Sequence, residues 1–318
     1  MQQQPKIRDL PWTIHKLLKW TDSYFKSHNI ENPRASAEII LAYALGLKRI
    51  DLYVQYDQPL INEELALFKS LIKRRVKKEP AAYIIGKKEF WSMSLEVTRD
   101  VLIPRPETEC LVEAALKFLP DNLPNNLSDD LLKNSLHRKK NILELGTGTG
   151  AVTIALSSER PFNKYFASDR SQKALEVAKR NVKHHVEKGE ISFICGNWLD
   201  PIKESSIFFD IILSNPPYIK TNTILELQPE IRKYEPFEAL DGDKDGLGPI
   251  RNILNTAGTY LADNGVILLE IGYDQKEEVL KIVESCGTYD NFCCFKDYSG
   301  NDRVVQIQKK SASAERSV

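Results

Sequence analysis

The spacing of apolar residues divides the chain into a helical opening and a later stretch of alternating strands and helices. Ile14, Leu17, Leu18, Tyr24 and Phe25 recur at helical spacing and predict a first amphipathic helix. A second starts at Asn32-Pro33, a capping residue followed by proline at the first helical position. It carries Ile39, Ile40, Leu41 and Tyr43, and Gly46 is its natural stop. A third starts near Asn62-Glu63-Glu64, aligns Leu65, Phe68, Leu71, Ile72 and Val76, and ends at Pro80. These make a small helical bundle, whose basic run Lys69 to Lys78 reads as a solvated face or a contact for an anionic partner.

The period then drops to two. Phe90 to Val97 alternates and reads as one strand of a hairpin, with Val101-Leu102-Ile103 as its partner. Pro104-Arg105-Pro106-Glu107-Thr108-Glu109 leads into a helix carrying Leu111, Val112, Ala115 and Leu119. Residues 120–140 are polar and aperiodic. They read as a surface insertion with a helical turn at Asp129 to Leu132.

From Asn141 onward short apolar runs alternate with helical stretches. The runs are Ile142–Leu145, Tyr165–Ser168, Ile191–Cys195, Ile211–Ser214, Val266–Ile271, Phe292–Phe295 and Val304–Ile307. The helical stretches are Val152–Ser158, Lys173–Val186, Ile224–Lys233, Ile250–Leu261 and Lys276–Ser285. Such alternation predicts βαβ units and a parallel sheet covered on both faces. Only a short loop, Asp297 to Asp302, joins the last two runs, so that pair is antiparallel. The expected fold is α/β, with a seven-stranded Rossmann-like sheet after the helical bundle and a β-hairpin linker. The expected boundaries are 1–85 for the bundle, 86–106 for the linker and 107–318 for the sheet domain.

Composition narrows the classes. Lys+Arg and Asp+Glu both number 44 in 318 residues, so no global charge points to nucleic acid. The five cysteines lack C-x-x-C spacing, which indicates neither a disulfide framework nor a zinc site and suits a reducing cytoplasm. No apolar run suggests a membrane span, and the opening residues do not read as a signal peptide.

Two motifs carry chemistry. Glu144-Leu145-Gly146-Thr147-Gly148-Thr149-Gly150 closes the first strand of the sheet and opens a helix, at the edge where α/β sheets bind ligands. The next strand ends in Asp169, placed to accept hydrogen bonds from ribose hydroxyls. A dehydrogenase loop reads G-x-G-x-x-G; this one reads G-x-G-x-G after a carboxylate. Glu144 disfavours a pyrophosphate and suits a cationic ligand such as S-adenosylmethionine. Asn197 and Trp198 end the third strand, where Asn197 suits an adenine edge, while Trp198 packs either on the base or in the core. The second motif is Asn215-Pro216-Pro217-Tyr218. Two prolines end a strand ladder and free carbonyls; Asn215 adds an amide oxygen and Tyr218 a flat ring, a grip for a planar NH2 group or simply a rigid turn.

Together these residues resemble a class I S-adenosylmethionine-dependent methyltransferase. Glu89-Phe90-Trp91-Ser92, Leu102 to Glu109, Tyr234-Glu235-Pro236, the loop from Asp241 to Leu247 and Asp297 to Arg303 extend the resemblance over nearly the whole chain. They are similar to the HemK/PrmC family, the protein-(glutamine-N5) methyltransferases of peptide chain release factors. Departures are Asn197, where an acid is common, and the long 120–140 insertion.

The resemblance implies methyl transfer to the glutamine of the Gly-Gly-Gln loop of class 1 release factors, with S-adenosylhomocysteine as product. It assigns substrate recognition to the helical bundle. Asn215 and the Pro216 carbonyl would accept the amide hydrogens while Tyr218 stacks on the amide plane, so acceleration comes from positioning. Glu144, Gly146, Thr147, Gly148, Gly150, Asp169, Asn197, Trp198 and Asn215 form the expected cofactor site. Arg105, Glu107 and Phe90 are expected near donor or substrate with Asn215 to Tyr218; an ion pair between domains is the other reading of Arg105 and Glu107. No metal, membrane or obligatory nucleic acid is expected, and the default state is a monomer.

Asp241 to Gly246 matches the start of a calcium loop, but Asn252 stands where the bidentate Glu belongs, so it reads as a polar loop at the site's mouth. Two rivals remain: an amino-methyltransferase of adenine or guanine using the same grip, and a binding module without catalysis.

Overall fold

The computed structural model describes residues 12–119, 138–203 and 207–310. Most of the 120–140 insertion, with its expected turn at Asp129 to Leu132, lies outside them. The chain divides into two compact units, one of residues 1–86 with 229–234 and one of residues 87–228 with 235–318.

The first unit is helical: α1 (Ile14–Ser27), α2 (Pro33–Leu45), α3 (Asp51–Val54), α4 (Asn62–Val76) and α5 (Ala81–Ile85). Thr13 caps α1 by accepting from the Lys16 N–H, and Gly46 closes α2 at φ +66°. Ile14, Leu18, Phe25, Ile40, Leu41, Leu52 and Phe68 fill the core. Pro80 precedes α5 rather than ending α4, which stops at Val76. The basic run is not one solvated face. Arg75 is buried and pairs with Glu230 at 3.1 Å, while Arg74 makes a two-point contact with Glu79 at 2.8 Å. Charge spacing alone cannot show such partners, because Glu230 lies 155 residues away.

The second unit opens on a hairpin of β1 (Lys87–Phe90) and β2 (Met93–Glu96). Here the expected single strand from Phe90 to Val97 is corrected. Trp91 and Ser92 sit at φ +50° and +58° and form the turn, so β1 and not Val101–Ile103 is the partner. Tertiary bonds hold these non-glycine residues there: the Trp91 N–H donates to Glu109 at 2.8 Å and its indole N–H to Glu159 at 2.9 Å. Alternation continues on both sides of the turn, which is why periodicity hides it.

After α6 (Glu109–Leu116) comes a seven-stranded sheet: β3 (Asn141–Leu145), β4 (Lys164–Asp169), β5 (Glu190–Cys195), β6 (Phe209–Ser214), β7 (Leu261–Glu270), β8 (Tyr289–Lys296) and β9 (Asp302–Lys309). Helices α7 (Ala151–Glu159), α8 (Gln172–His185), α10 (Gly248–Ala257) and α11 (Lys276–Cys286) belong to the same unit, and α9 (Pro229–Tyr234) to the first. The strand order is β5-β4-β3-β6-β7-β9-β8, parallel except for β9, which is antiparallel to both neighbours. The expected α/β class and antiparallel end hold. Ile224–Lys233 is not one helix: a 3₁₀ turn covers Thr221–Glu226 and α9 begins at Pro229, because proline disfavours helical backbone in the residue before it.

Sheet faces bury two apolar layers, one around Leu143, Ile212, Ile253 and Ile267, the other around Leu111, Ile154, Ile211 and Leu268. The strand order reverses between β3 and β6, the place where open α/β sheets bind ligands. Register pairs Leu145 with Ser168 and Ser214, and Ser214 with Leu269. Thus Gly146, Asp169, Asn215 and Glu270 emerge side by side at one sheet edge.

Candidate active site

The G-x-G-x-G spacing has a direct cause in the backbone. Gly146, Gly148 and Gly150 take φ values of +72°, +53° and +81°, so every second residue is left-handed. A Cβ at Gly148 would meet nothing within 4 Å, whereas one at Gly150 would press on Ile154 and Ala178 at 3.2 and 3.3 Å. Gly148 therefore faces open space, Gly146 faces the Trp198 ring at 3.9 Å, and Gly150 lets α7 and α8 pack closely. The Asp169 carboxylate accepts from the Gly148 N–H and the Ser171 N–H, each at 2.9 Å, and fixes the loop. Burial raises its pKa against those two bonds.

These residues line a cavity of about 500 Å³, with Gly146, Gly148, Asp169, Asn197, Trp198, Asn215 and Pro217 all on its wall. Among the described residues its charged lining is Asp100, Asp169, Glu238, Asp241 and Asp243 against a single cation, Arg170. That balance repels a pyrophosphate and favours a cationic ligand. Trp198 lines the cavity and packs, partly buried, on the neighbouring core.

Glu144 does not carry the charge argument. It is 4% exposed, and its Oε2 accepts from both threonine hydroxyls, Thr147 and Thr153, and from the Thr153 N–H at 3.1 Å. Burial pushes its carboxyl up to about 7. Glu144 and Thr147 brace the loop from behind through their side chains, and neither is among the residues lining the cavity. The wall acids take over the electrostatic role.

The Asn215 side-chain nitrogen donates to Thr108 Oγ1 at 3.0 Å, which leaves the amide oxygen as the group free to accept. Pro216 is buried behind it. Tyr218 is fastened at both ends. Gln275 Nε2 donates to its carbonyl at 3.0 Å, and its hydroxyl reaches Glu270 Oε1 at 3.4 Å. Burial and Glu270 together raise the phenol pKa. A Cβ on Gly242 would lie 2.8 Å from the Tyr218 backbone, so only glycine fits there. The calcium-like loop is thus a clamp. Gly242 N–H bonds to the Ile219 carbonyl at 2.8 Å, Asp241 takes the Thr221 hydroxyl, and Asp245 pairs with Arg251 at 2.7 Å.

Two family models match the chain: the PrmC N-terminal domain over residues 16–86 and the methyltransferase small domain over residues 121–230. The protein named release factor glutamine methyltransferase in Geobacter sulfurreducens is 38% identical over 96% of this chain and 98% of its own. Those so named in Rhodopirellula baltica and Thermodesulfovibrio yellowstonii are 35% and 40% identical, over 95% and 87% of this chain and 98% and 92% of theirs. This chain belongs to the release factor glutamine methyltransferase family. The hMettl16 catalytic domain, solved in complex with the MAT2A 3'UTR hairpin 6, shares its fold with a TM-score of 0.51 at 14% identity, over 74% of this chain and 81% of that one.

In this release factor glutamine methyltransferase family member, Phe90, Arg105 and Glu107 have the following settings. Phe90 is 2% exposed and packs with Leu95, Leu111 and Ala115, so it is a core residue and not a substrate contact. Arg105 does form an ion pair, but with Glu235, at 2.6 Å, and both residues belong to the larger unit. Glu107 is exposed, is not among the residues lining this cavity, and its charge acts on Glu270. Thr108 and Glu270 were not among the expected site residues. Their signal was adjacency: Thr108 sits inside the proline-arginine element, and Glu270 is a lone acid ending an apolar strand.

Proposed function

We propose that the chain transfers a methyl group from S-adenosylmethionine to the side-chain amide nitrogen, N5, of the glutamine in the Gly-Gly-Gln loop of class 1 release factors. The carrying observation is the Asn215 amide, held by its nitrogen on Thr108 at 3.0 Å with its oxygen left to accept on the cavity wall. The names of the relatives support the substrate class. The fit of the cofactor rests on the glycine cradle, the ribose-side carboxylate of Asp169 and the acid-rich wall. S-adenosylmethionine supplies an electrophilic methyl on a sulfonium.

An amide nitrogen is a poor nucleophile because its lone pair is delocalised. Accepting one N–H at the Asn215 oxygen and the other at the Pro216 carbonyl orients that nitrogen. It also stabilises the positive charge that develops on it. Tyr218, fastened by Gln275, stacks on the amide plane and restricts its rotation. Asp169 accepts from ribose hydroxyls, and Asn197 and Trp198 meet the base. Arg105, anchored on Glu235, borders the glutamine side. The helical unit recognises the release factor.

Incubating the protein with methyl-labelled S-adenosylmethionine and either an intact release factor or total RNA tests this reading. Label enters the release factor, and replacing its glutamine abolishes labelling. Label in RNA alone overturns it. Asn215→Ala is expected to lower kcat about 100-fold with cofactor affinity retained; full activity in that variant refutes the assigned grip.

A further inference from the structure

Three loops of the larger unit meet on one buried side chain. Gln275 stands directly before α11 and is 8% exposed. Its Nε2 donates to the Tyr218 carbonyl at 3.0 Å and to the Gly246 carbonyl at 3.1 Å, and its Oε1 accepts from the Gly272 N–H at 2.9 Å. These bonds reach the loop after β6, the loop before α10 and the loop after β7. A residue at the start of a helix commonly spends its side chain on the first-turn N–H groups. Gln275 makes no such cap, and its amide nitrogen goes to two carbonyls outside its own helix.

The two loops joined by that nitrogen have different duties. One carries Asn215 and Tyr218. The other supplies Asp241, Asp243 and Gly248 to the cavity wall. A short backbone ladder ties them: Ile219 N–H to the Leu240 carbonyl at 3.1 Å, Gly242 N–H to the Ile219 carbonyl at 2.8 Å and Thr221 N–H to the Asp243 carbonyl at 3.0 Å. Gln275 extends this tie to Tyr218 itself. The fit is close, because a Cβ on Gly246 would lie 2.6 Å from the Tyr218 carbonyl oxygen and 2.8 Å from Gln275 Nε2. At its far end the Tyr218 hydroxyl makes a long contact with Glu270, 3.4 Å, so the backbone end is the firmer anchor of the ring.

We propose that Gln275 is the positioning residue that registers the Tyr218 ring against the cavity wall. The inference rests on the methyl-transfer reading of the site, in which that ring stacks on the substrate amide. The stack holds the amide nitrogen on the line to the methyl group, and an error of about 1 Å in such a placement costs about 100-fold in rate. Gln275 sets the height of the Tyr218 carbonyl, and thereby of the ring, relative to the loop that walls the cavity. It touches none of the reacting atoms and acts through Tyr218.

The test uses the full-length protein with an intact release factor. Gln275→Met fills the space without hydrogen bonds, and Gln275→Glu at pH 8 keeps the Gly272 bond but has no hydrogen to donate. Each is expected to lower kcat about 100-fold. KM for the release factor and the dissociation constant of S-adenosylhomocysteine are expected to stay within about threefold. A double-mutant cycle separates positioning from general loosening. In a Tyr218→Ala background there is no ring to place, so adding Gln275→Met should cost less than about threefold in kcat. Near-normal kcat in either single variant, a loss carried by cofactor affinity instead of kcat, or losses that multiply in the double variant each overturns the proposal. If Gln275→Met does not fold, Gln275→Glu enters the cycle in its place.

A readout without substrate separates this inference from the methyl-transfer reading. In protein labelled with carbon-13 tyrosine, the Tyr218 ring signal is assigned by its loss in Tyr218→Ala. It is expected to move in Gln275→Met. A moved signal, in a protein that transfers no methyl group to the release factor, sustains the positioning and overturns the substrate assignment. Methyl transfer with an unmoved signal overturns the positioning and leaves the substrate assignment standing.

Discussion

Asn181 offers the sharpest test of how the hairpin and the glycine loop are joined. It is 1% exposed on α8, where an asparagine has no reason to be unless it is bonded. Its Oδ1 accepts from the Glu96 N–H at 2.7 Å, and its Nδ2 donates to the Glu96 carbonyl at 3.0 Å and the Thr149 carbonyl at 2.9 Å. One amide therefore ties β2 to the loop that lines the cavity. Each bond contributes about 1 kcal/mol net, and the wholly buried Thr149 carbonyl costs about 1 kcal/mol more when orphaned. Asn181→Ala is expected to destabilise the fold by about 4 kcal/mol. Asn181→Asp keeps the Glu96 N–H bond but turns an oxygen toward two carbonyls. It should be at least as damaging at pH 8 and partly recover on acidification, when a protonated acid can donate. Urea unfolding followed by tryptophan fluorescence measures the loss, and native-state hydrogen exchange at the Glu96 amide localises it. A loss under about 1 kcal/mol in Asn181→Ala, with Glu96 protection unchanged, would refute the argument.

Phe90→Ala is expected to cost about 3–5 kcal/mol of stability by thermal or urea unfolding, while calorimetric cofactor affinity stays within a few-fold, as befits a core residue. Burial pushes the folded Glu144 carboxyl up to about 7 from an ordinary glutamate value of 4.5, so its contribution is complete below about 4.5 and is lost as pH rises through about 7. Glu144→Gln should remove up to about 3 kcal/mol of that pH dependence, read from unfolding midpoints between those limits. Asp169→Ala strips acceptors from two backbone N–H groups and, on the proposed reading, from the cofactor's ribose, and should weaken S-adenosylmethionine binding more than tenfold in equilibrium dialysis.

Much of this fold is legible wherever one periodicity dominates. The sheet strands appear as apolar runs because both faces of the sheet are covered, and Gly46 and Asn32-Pro33 mark α2 because backbone sterics act locally. What was hidden depends on partners distant in sequence. The Trp91-Ser92 turn is stabilised by Glu109 and Glu159, not by glycine. Arg75 looks solvated until Glu230 is brought to it. In the site, the glycine loop, Asp169 and Asn215 could be read from spacing. The inward turn of Glu144 could not, since a carboxylate beside a loop looks the same whichever way it faces. The threonines that claim it, Thr147 and Thr153, are too common a residue type to stand out.

The position of β9 has a consequence for how the protein is made. β9 follows β8 in the chain yet lies between β7 and β8, and β8 pairs with nothing else in the sheet. A nascent chain that has emerged as far as β8 therefore holds a strand with no place to dock and an open edge along β7. Both are resolved together when residues 302–309 arrive. That same strand brings Arg303, whose charge bears on Glu270 and Tyr218. Completion of the sheet and of the electrostatics around Glu270 and Tyr218 then coincide, so a ribosome-stalled chain lacking β9 would have the glycine loop in place but Glu270 and Tyr218 without the Arg303 charge.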